Sequence, residues 1–181
     1  LAGQSCDMQA IKKLSEKYQF AIIEDASHAV GGSYQQHKVG SCQYSDITVF
    51  SFHPVKIITS AEGGMALTRN SNLAETMRAL RSHGITNTPE QMTEESHGPW
   101  YYQQHALGFN YRMTELQAAL GASQTKRLGE FVKHRNQLAQ VYNQAFATTT
   151  LTPLTPKKPF ATAPPVSPDV ATKTVTSSLL F

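Results

Sequence analysis

Apolar residues recur in two rhythms along the first 146 positions, and after Phe146 neither survives. Met8, Ile11, Leu14 and Tyr18 stand three and four apart behind Ser5 and Asp7, either of which can cap a helix with one buried stripe. Phe20-Ala21-Ile22-Ile23 follows as a short continuous apolar run, the signature of a strand covered on both faces, and it ends abruptly in Glu24-Asp25. Ile47-Thr48-Val49-Phe50 predicts a second strand running into Ser51-Phe52-His53-Pro54-Val55-Lys56, and Met65-Ala66-Leu67-Thr68 a third after Gly63-Gly64. Asn70 or Ser71 opens a helix with Leu73, Met77 and Leu80 inward, stopped by Gly84.

From Thr86 to Gln104 periodicity is lost, and Trp100, Tyr101 and Tyr102 mark a long loop with an aromatic anchor. Thr114 and Gln117 form a capping-box pattern ahead of Leu116 and Leu120. A regular stripe through Phe131, Arg135, Leu138, Tyr142 and Ala145 then predicts a long helix. Alternating helices and apolar strands define an α/β domain with a mostly parallel sheet and flanking helices. Residues 1–128 read as part of a large domain, 129–147 as a long helix leading away from it, and 148–181 as a Pro/Thr-rich tail. Six of the nine prolines fall between Pro153 and Pro168, so the tail is expected to be disordered or non-native.

Composition narrows the function classes. With 181 residues, 40% of them hydrophobic, the chain is long enough to bury a core. No run approaches membrane-spanning length, and the opening residues lack a basic and an apolar leader region, which reads as a cytoplasmic protein. A net charge of +3, scattered among acids, gives no nucleic-acid stripe. Cys6 and Cys42 read as reduced thiols, and no HxxxH or CxxC spacing calls for a metal. The first residue is leucine and a helix pattern begins with no strand before it, so the chain is expected to be a piece of a larger domain whose open sheet edge makes it poorly soluble.

In parallel α/β sheets ligands bind beyond the carboxyl ends of the strands, where Asp25, His28, Ser51 and Lys56 fall. Taken singly, a lysine after a strand is most often solvated, an acid there is commonly a turn cap, and an asparagine such as Asn110 usually satisfies its own backbone. Their surroundings change the weighting. Glu24-Asp25-Ala26-Ser27-His28-Ala29, Ser51-Phe52-His53-Pro54-Val55-Lys56, Ala61-Glu62-Gly63-Gly64-Met65, Arg81-Ser82-His83-Gly84-Ile85, Gly98-Pro99-Trp100-Tyr101-Tyr102 and the run from Leu107 to Gly121 occur in order. Together they resemble the DegT/DnrJ/EryC1/StrS family of nucleotide-sugar aminotransferases.

That resemblance implies part of the large domain of a pyridoxal 5'-phosphate (PLP) dependent transferase of the aspartate aminotransferase-like fold type I. It implies Lys56 as the catalytic residue and Schiff-base partner of PLP, Asp25 facing the pyridinium nitrogen, His28 near the 3-hydroxyl and Ser51 on the phosphate. Asn110 is implied to reach the phosphate bound by the neighbouring subunit of a homodimer with shared sites. The opening Ala2-to-Met8 wording and Pro54-Val55-Lys56 further imply amination at C4 of a UDP-linked 4-keto-6-deoxy sugar, with L-glutamate as donor, in nucleotide-sugar synthesis of the pseudaminic acid type. A lysine at position 56 implies transamination, since the family's sugar dehydratases carry histidine there. Two readings stay open: a piece of an active aminotransferase, or an inactive remnant or non-catalytic dimerisation module. For Trp100, Tyr101 and Tyr102 a pocket-lining and an anchoring role are equally open, and for Gly63-Gly64 close backbone approach is the favoured reading.

Overall fold

The computed structural model describes residues 3–149 and 178–180. Helix α1 spans Met8–Tyr18, and of its two candidate caps Asp7 serves: its Oδ1 accepts the Ala10 amide at 3.1 Å. Strand β1 spans Ile23–Asp25, and the short strands β2 (Ser33–Tyr34) and β3 (His37–Lys38) form a tight antiparallel pair. Strand β4 is Ile47–Ser51 and β5 is Gly64–Leu67. Helix α2 spans Ser71–Arg81 behind the Asn70 cap, and Gly84 stops it by returning its amide to the Ala79 carbonyl at 2.7 Å. Strands β6 (Ile85–Thr86) and β7 (Gln103–Gln104) pair with each other. Helices α3 (Glu115–Lys126) and α4 (Leu128–Phe146) follow, and β8 is Ser178–Leu180. The Thr114–Gln117 capping box is present in full.

The main sheet has the order β1-β4-β5-β8. Only β1 and β4 are parallel; β4–β5 and β5–β8 are antiparallel. The expectation of a mostly parallel sheet is therefore corrected for the described strands. A parallel return needs a crossover, and the link from Phe52 to Gly63 contains no helix to make one, so β5 runs back directly beside β4.

A second correction concerns the first strand. It begins at Ile23, three residues later than the apolar run, and carries both acids within it. The Ile22 amide is taken by the Asp46 carboxylate at 2.7 Å, so the ladder starts one residue on. Nor is β1 covered on both faces: it lies at one end of the sheet, and Ile23 is 67% exposed.

The core gathers Ala26, Val30, Phe50, Phe52 and Ile58, with Met113, Leu128 and Phe131 packed on it. Burying an aromatic such as Phe50 contributes about 2–3 kcal/mol. The first turn of α4 thus joins the same core as the sheet, while Leu138, Val141 and Tyr142 further along are exposed. A smaller cluster joins Met8 of α1 to Ile22 and Tyr34.

The loop expected to carry an aromatic anchor is pinched at its base by β6 and β7. Trp100 does not anchor it; the side chain is 74% exposed. Tyr101 takes that part, stacked on His97 and donating to Glu94 at 3.2 Å. Leu116, in the first turn behind the Thr114 cap, is 85% exposed. Of the Pro/Thr-rich tail, residues 150–177 and 181 lie outside the described residues, and Ser178–Leu180 extends the sheet beside β5. Among the described residues no helix is long and apolar enough to cross a membrane.

Candidate active site

The parallel pairing of β1 and β4 brings two strand ends to one rim. Asp25 lies opposite Val49, and the Ala26 amide continues the ladder by donating to the Val49 carbonyl at 2.8 Å. Adjacent residues on a strand face opposite ways. Glu24 accordingly turns to the other side, where its Oε2 accepts from the buried Thr48 hydroxyl at 3.0 Å and from Ser45 at 3.5 Å. Cys42, also buried, lies 3.4 Å from the same Thr48 hydroxyl. Glu24 is thus spent on the interior, and Asp25 is the acid left at the rim.

Beyond Asp25 the chain turns at once. The Asp25 Oδ1 accepts from the Ser27 amide at 3.0 Å and from the Ser27 hydroxyl at 2.5 Å, and the Ala29 amide closes the turn on Ala26 at 2.8 Å. The Ser27 hydroxyl first, and its amide second, hold the Asp25 carboxyl below the usual carboxylate range against the opposing effect of desolvation, with a lesser contribution from the charges of Lys56 and His28. Asp25 is therefore an anion at neutral pH. Ser27 escaped the sequence reading, although Asp-x-Ser after a strand is an Asx-turn pattern that could have found it.

Lys56 is carried by the link between β4 and β5, and that link is firmly built. Phe52 donates to Gly63 at 2.8 Å, Ser60 returns to Phe52 at 3.0 Å, and Lys56 closes a turn on His53 at 2.9 Å. The Thr59 hydroxyl donates to the Phe52 carbonyl at 2.9 Å and the buried Ser60 hydroxyl to Glu62 at 2.8 Å. Ile58, two residues past Lys56, plugs the core. His53 accepts the Val55 amide on Nδ1 at 3.3 Å, with Glu62 3.9 Å from Nε2. Gly64 lies so close to β4 that a Cβ there would stand 2.8 Å from the Phe50 carbonyl oxygen.

The outcome is one contact that the sequence order does not dictate: Lys56 Nζ lies 3.0 Å from His28 Nε2. Asp25, His28 and Lys56 therefore form one cluster. Ser51 stands at the end of β4 on the same rim, its hydroxyl accepting the His53 amide at 3.4 Å. Asn110 is elsewhere. It pairs with Ser82 at the end of α2, in a stretch held by Phe109 donating to Leu80 at 2.7 Å and Tyr111 to Arg81 at 2.9 Å. Among the described residues it makes no hydrogen bond to the Lys56 cluster.

An amine, an ionised carboxylate, an imidazole and a hydroxyl on one rim suit a phosphorylated pyridine aldehyde: each group matches one function of such a cofactor. The rim is open, with Asp25 and His28 exposed and Lys56 and Ser51 half-buried. The cavity of about 20 Å³ beside Met8, Tyr34 and Cys42 lies away from the cluster and has room for about one water, so it holds no organic ligand.

Sequence comparison agrees with this chemistry. The DegT/DnrJ/EryC1/StrS aminotransferase family matches residues 1–168, and the chain belongs to that family. It is 39% identical over 145 residues to the UDP-4-amino-4,6-dideoxy-N-acetyl-beta-L-altrosamine transaminase of Campylobacter jejuni, a match covering 80% of this chain and 36% of the relative. Its fold superposes on Helicobacter pylori PseC, an aminotransferase of pseudoaminic acid biosynthesis, with a TM-score of 0.74 and 35% identity over 82% of this chain and 37% of that one. A Streptococcus pneumoniae chain assigned to the sugar aminotransferases and solved in a PLP form gives a TM-score of 0.74 at 27% identity, covering 87% of this chain and 42% of that one. The chain spans little more than a third of the length of the curated relatives it matches.

Proposed function

We propose that this chain carries the cofactor-anchoring part of a PLP-dependent nucleotide-sugar aminotransferase. The observation that carries the reading is the Lys56–His28 contact at 3.0 Å beside Asp25, on the rim where two parallel strands end. When bound, the cofactor supplies an electron sink that labilises the C–H bond next to the substrate nitrogen.

The chain's own residues do the rest. An amine adds to an aldehyde carbon only when unprotonated, and His28 Nε2, 3.0 Å from Lys56 Nζ, can take a proton from it when its own tautomer carries hydrogen on Nδ1. Asp25, kept ionised by Ser27, offers a carboxylate to a protonated ring nitrogen. The Ser51 hydroxyl is the phosphate donor on this side of the site. With the cofactor bound, Lys56 Nζ would be the base that moves a proton between the substrate carbon and the carbon two bonds away across the substrate nitrogen.

The amino donor is L-glutamate and the acceptor a UDP-linked 4-keto-6-deoxy sugar aminated at C4, in pseudaminic acid-type synthesis. The likeness to the Campylobacter transaminase and to PseC supports that substrate class. Catalysis is ping-pong, because one lysine and one ring serve both half-reactions. The setting is cytoplasmic. A homodimer completes the site: Leu107, Phe109, Tyr111 and Leu116 form an exposed apolar run around Asn110, the kind of surface a second copy covers. The openness of the rim favours a second reading for the 181-residue chain taken alone, that of a non-catalytic dimerisation module. Absorbance and borohydride trapping with PLP decide between them. A reduced pyridoxyl group on Lys56 supports the first; labelling spread over all lysines and unchanged in Lys56→Ala overturns it.

A further inference from the structure

The stretch ahead of α1 crosses the turn that carries His28, and it does so closely. Gly3 has φ of 77°, and a Cβ built on it would lie 2.5 Å from the His28 carbonyl oxygen, 3.5 Å from the carbonyl carbon and 3.6 Å from Ala29 Cα. These are backbone atoms, which cannot rotate aside as a side chain can.

Neither partner in this crossing is free to retreat. On one side Ala26 is tied to Val49, Ala29 to Ala26 and Gly32 to Ala29 by amide bonds of 2.8, 2.8 and 2.9 Å, and Ala26 and Val30 belong to the core. On the other, Asp7 caps α1, receives the Tyr34 hydroxyl at 2.8 Å, and is followed by buried Met8. Only Gln4, Ser5 and Cys6 separate Gly3 from that anchor. A side chain at position 3 has to be absorbed by moving the His28 backbone, and His28 is the residue whose Nε2 faces Lys56 Nζ at 3.0 Å.

We infer that Gly3 is a positioning residue for the lysine site: lacking a side chain, it lets the N-terminal stretch lie on the His28 carbonyl and hold the imidazole against Lys56. The inference rests on the proposed role of Lys56 and extends it to a residue on a different element, far from the rim in sequence.

The test uses the 181-residue chain with Gly3→Ala, and with Gly129→Ala as control, since nothing lies within 4 Å of a Cβ at Gly129. Two quantities are read: the ring ¹H–¹⁵N signals of His28 in the cofactor-free chain, identified with His28→Ala, and the rate at which borohydride fixes PLP to Lys56. The expected result is displaced His28 signals and labelling slowed about tenfold or more in Gly3→Ala, since reacting groups moved by a fraction of an ångström lose rate steeply. Gly129→Ala leaves both unchanged. In a His28→Ala background Gly3→Ala causes no further slowing. Parental His28 signals in Gly3→Ala overturn the inference, as does an equal slowing with and without His28, which marks a general loss of stability. If Gly3→Ala does not fold, a chain beginning at Gln4 removes the contact without the clash; slowed labelling supports the inference and parental labelling overturns it. A parental chain that never labels at Lys56 refutes the proposed function instead, and the His28 signals still decide the role of Gly3.

Discussion

The rim at the ends of β1 and β4 and the surface from Leu107 to Tyr142 were built under opposite conditions. At the rim the polar groups are braced from behind. Asp25 is held by Ser27, Lys56 by a link threaded with backbone and hydroxyl hydrogen bonds, and Phe50, Phe52 and Ile58 fill the space beneath. Along α3 and α4 the local structure is equally well formed, with a full capping box and uninterrupted helices, yet Leu107 and Leu116 are each 85% exposed. Local propensity makes both regions; burial completes only the first. Under the proposed function, that bare apolar face is the one a second copy covers.

Substitutions sharpen that contrast, and the largest effect belongs to the rim. Lys56→Ala abolishes borohydride-fixed PLP labelling altogether, read by peptide mass spectrometry, while its melt stays parental because Lys56 is only half-buried. Phe50→Ala, under the rim, costs about 3–5 kcal/mol in urea unfolding. The same kind of change on the bare face behaves differently. Leu116→Lys leaves folding within about 0.5 kcal/mol but weakens self-association by tenfold or more, about 1.4 kcal/mol or above, in sedimentation. Self-association that is identical in parent and Leu116→Lys would sink the dimer proposal. Thr114→Ala removes the α3 cap and lowers stability by about 1 kcal/mol, seen as lost helical ellipticity on heating.

The smallest effect is electrostatic. The Tyr34 hydroxyl first, and the Ala10 amide second, hold the Asp7 carboxyl below its ordinary 3.8. A depressed folded value stabilises the protein above the unfolded value and is lost as pH falls through the folded one. Melting temperature therefore drops as pH is lowered from neutrality past 3.8, and Asp7→Ala shows a shallower acid-side slope.

What the sequence disclosed follows the same divide. The helix starts were legible because capping is decided within three residues: Thr114 outright, and Asp7 and Asn70 each as one of two candidates, beside Ser5 and Ser71. The strands β4 and β5 were legible too, but not that β5 runs against β4, since direction depends on what the link between them contains. Asp25, His28 and Lys56 were singled out by their position after strands and by family wording, and the structure places them together. Their separation could not be read from order alone, because it depends on the register of β1 against β4 and on the shape of the link past Phe52. Burial was the poorest guess. Periodicity marks which side of a helix is apolar, as at Leu116 and Leu138, but says nothing about whether the chain itself covers it.

The adjacent acids of β1 carry a further consequence. Because neighbours on a strand face opposite ways, sliding β1 by a single residue would exchange one carboxylate for the other, aiming Glu24 at the lysine and Asp25 into the hydroxyls around Thr48. Side-chain chemistry penalises such a slip only weakly, since either acid suits either place. The strand is indexed at its opposite end: Asp46 grips the Ile22 amide with its carboxylate at 2.7 Å, while the Asp46 and Ile47 amides both donate to the Ile22 carbonyl, at 2.9 and 3.3 Å. Which of two interchangeable acids serves the rim is settled by an aspartate that never touches it, working as the stop of a sliding scale.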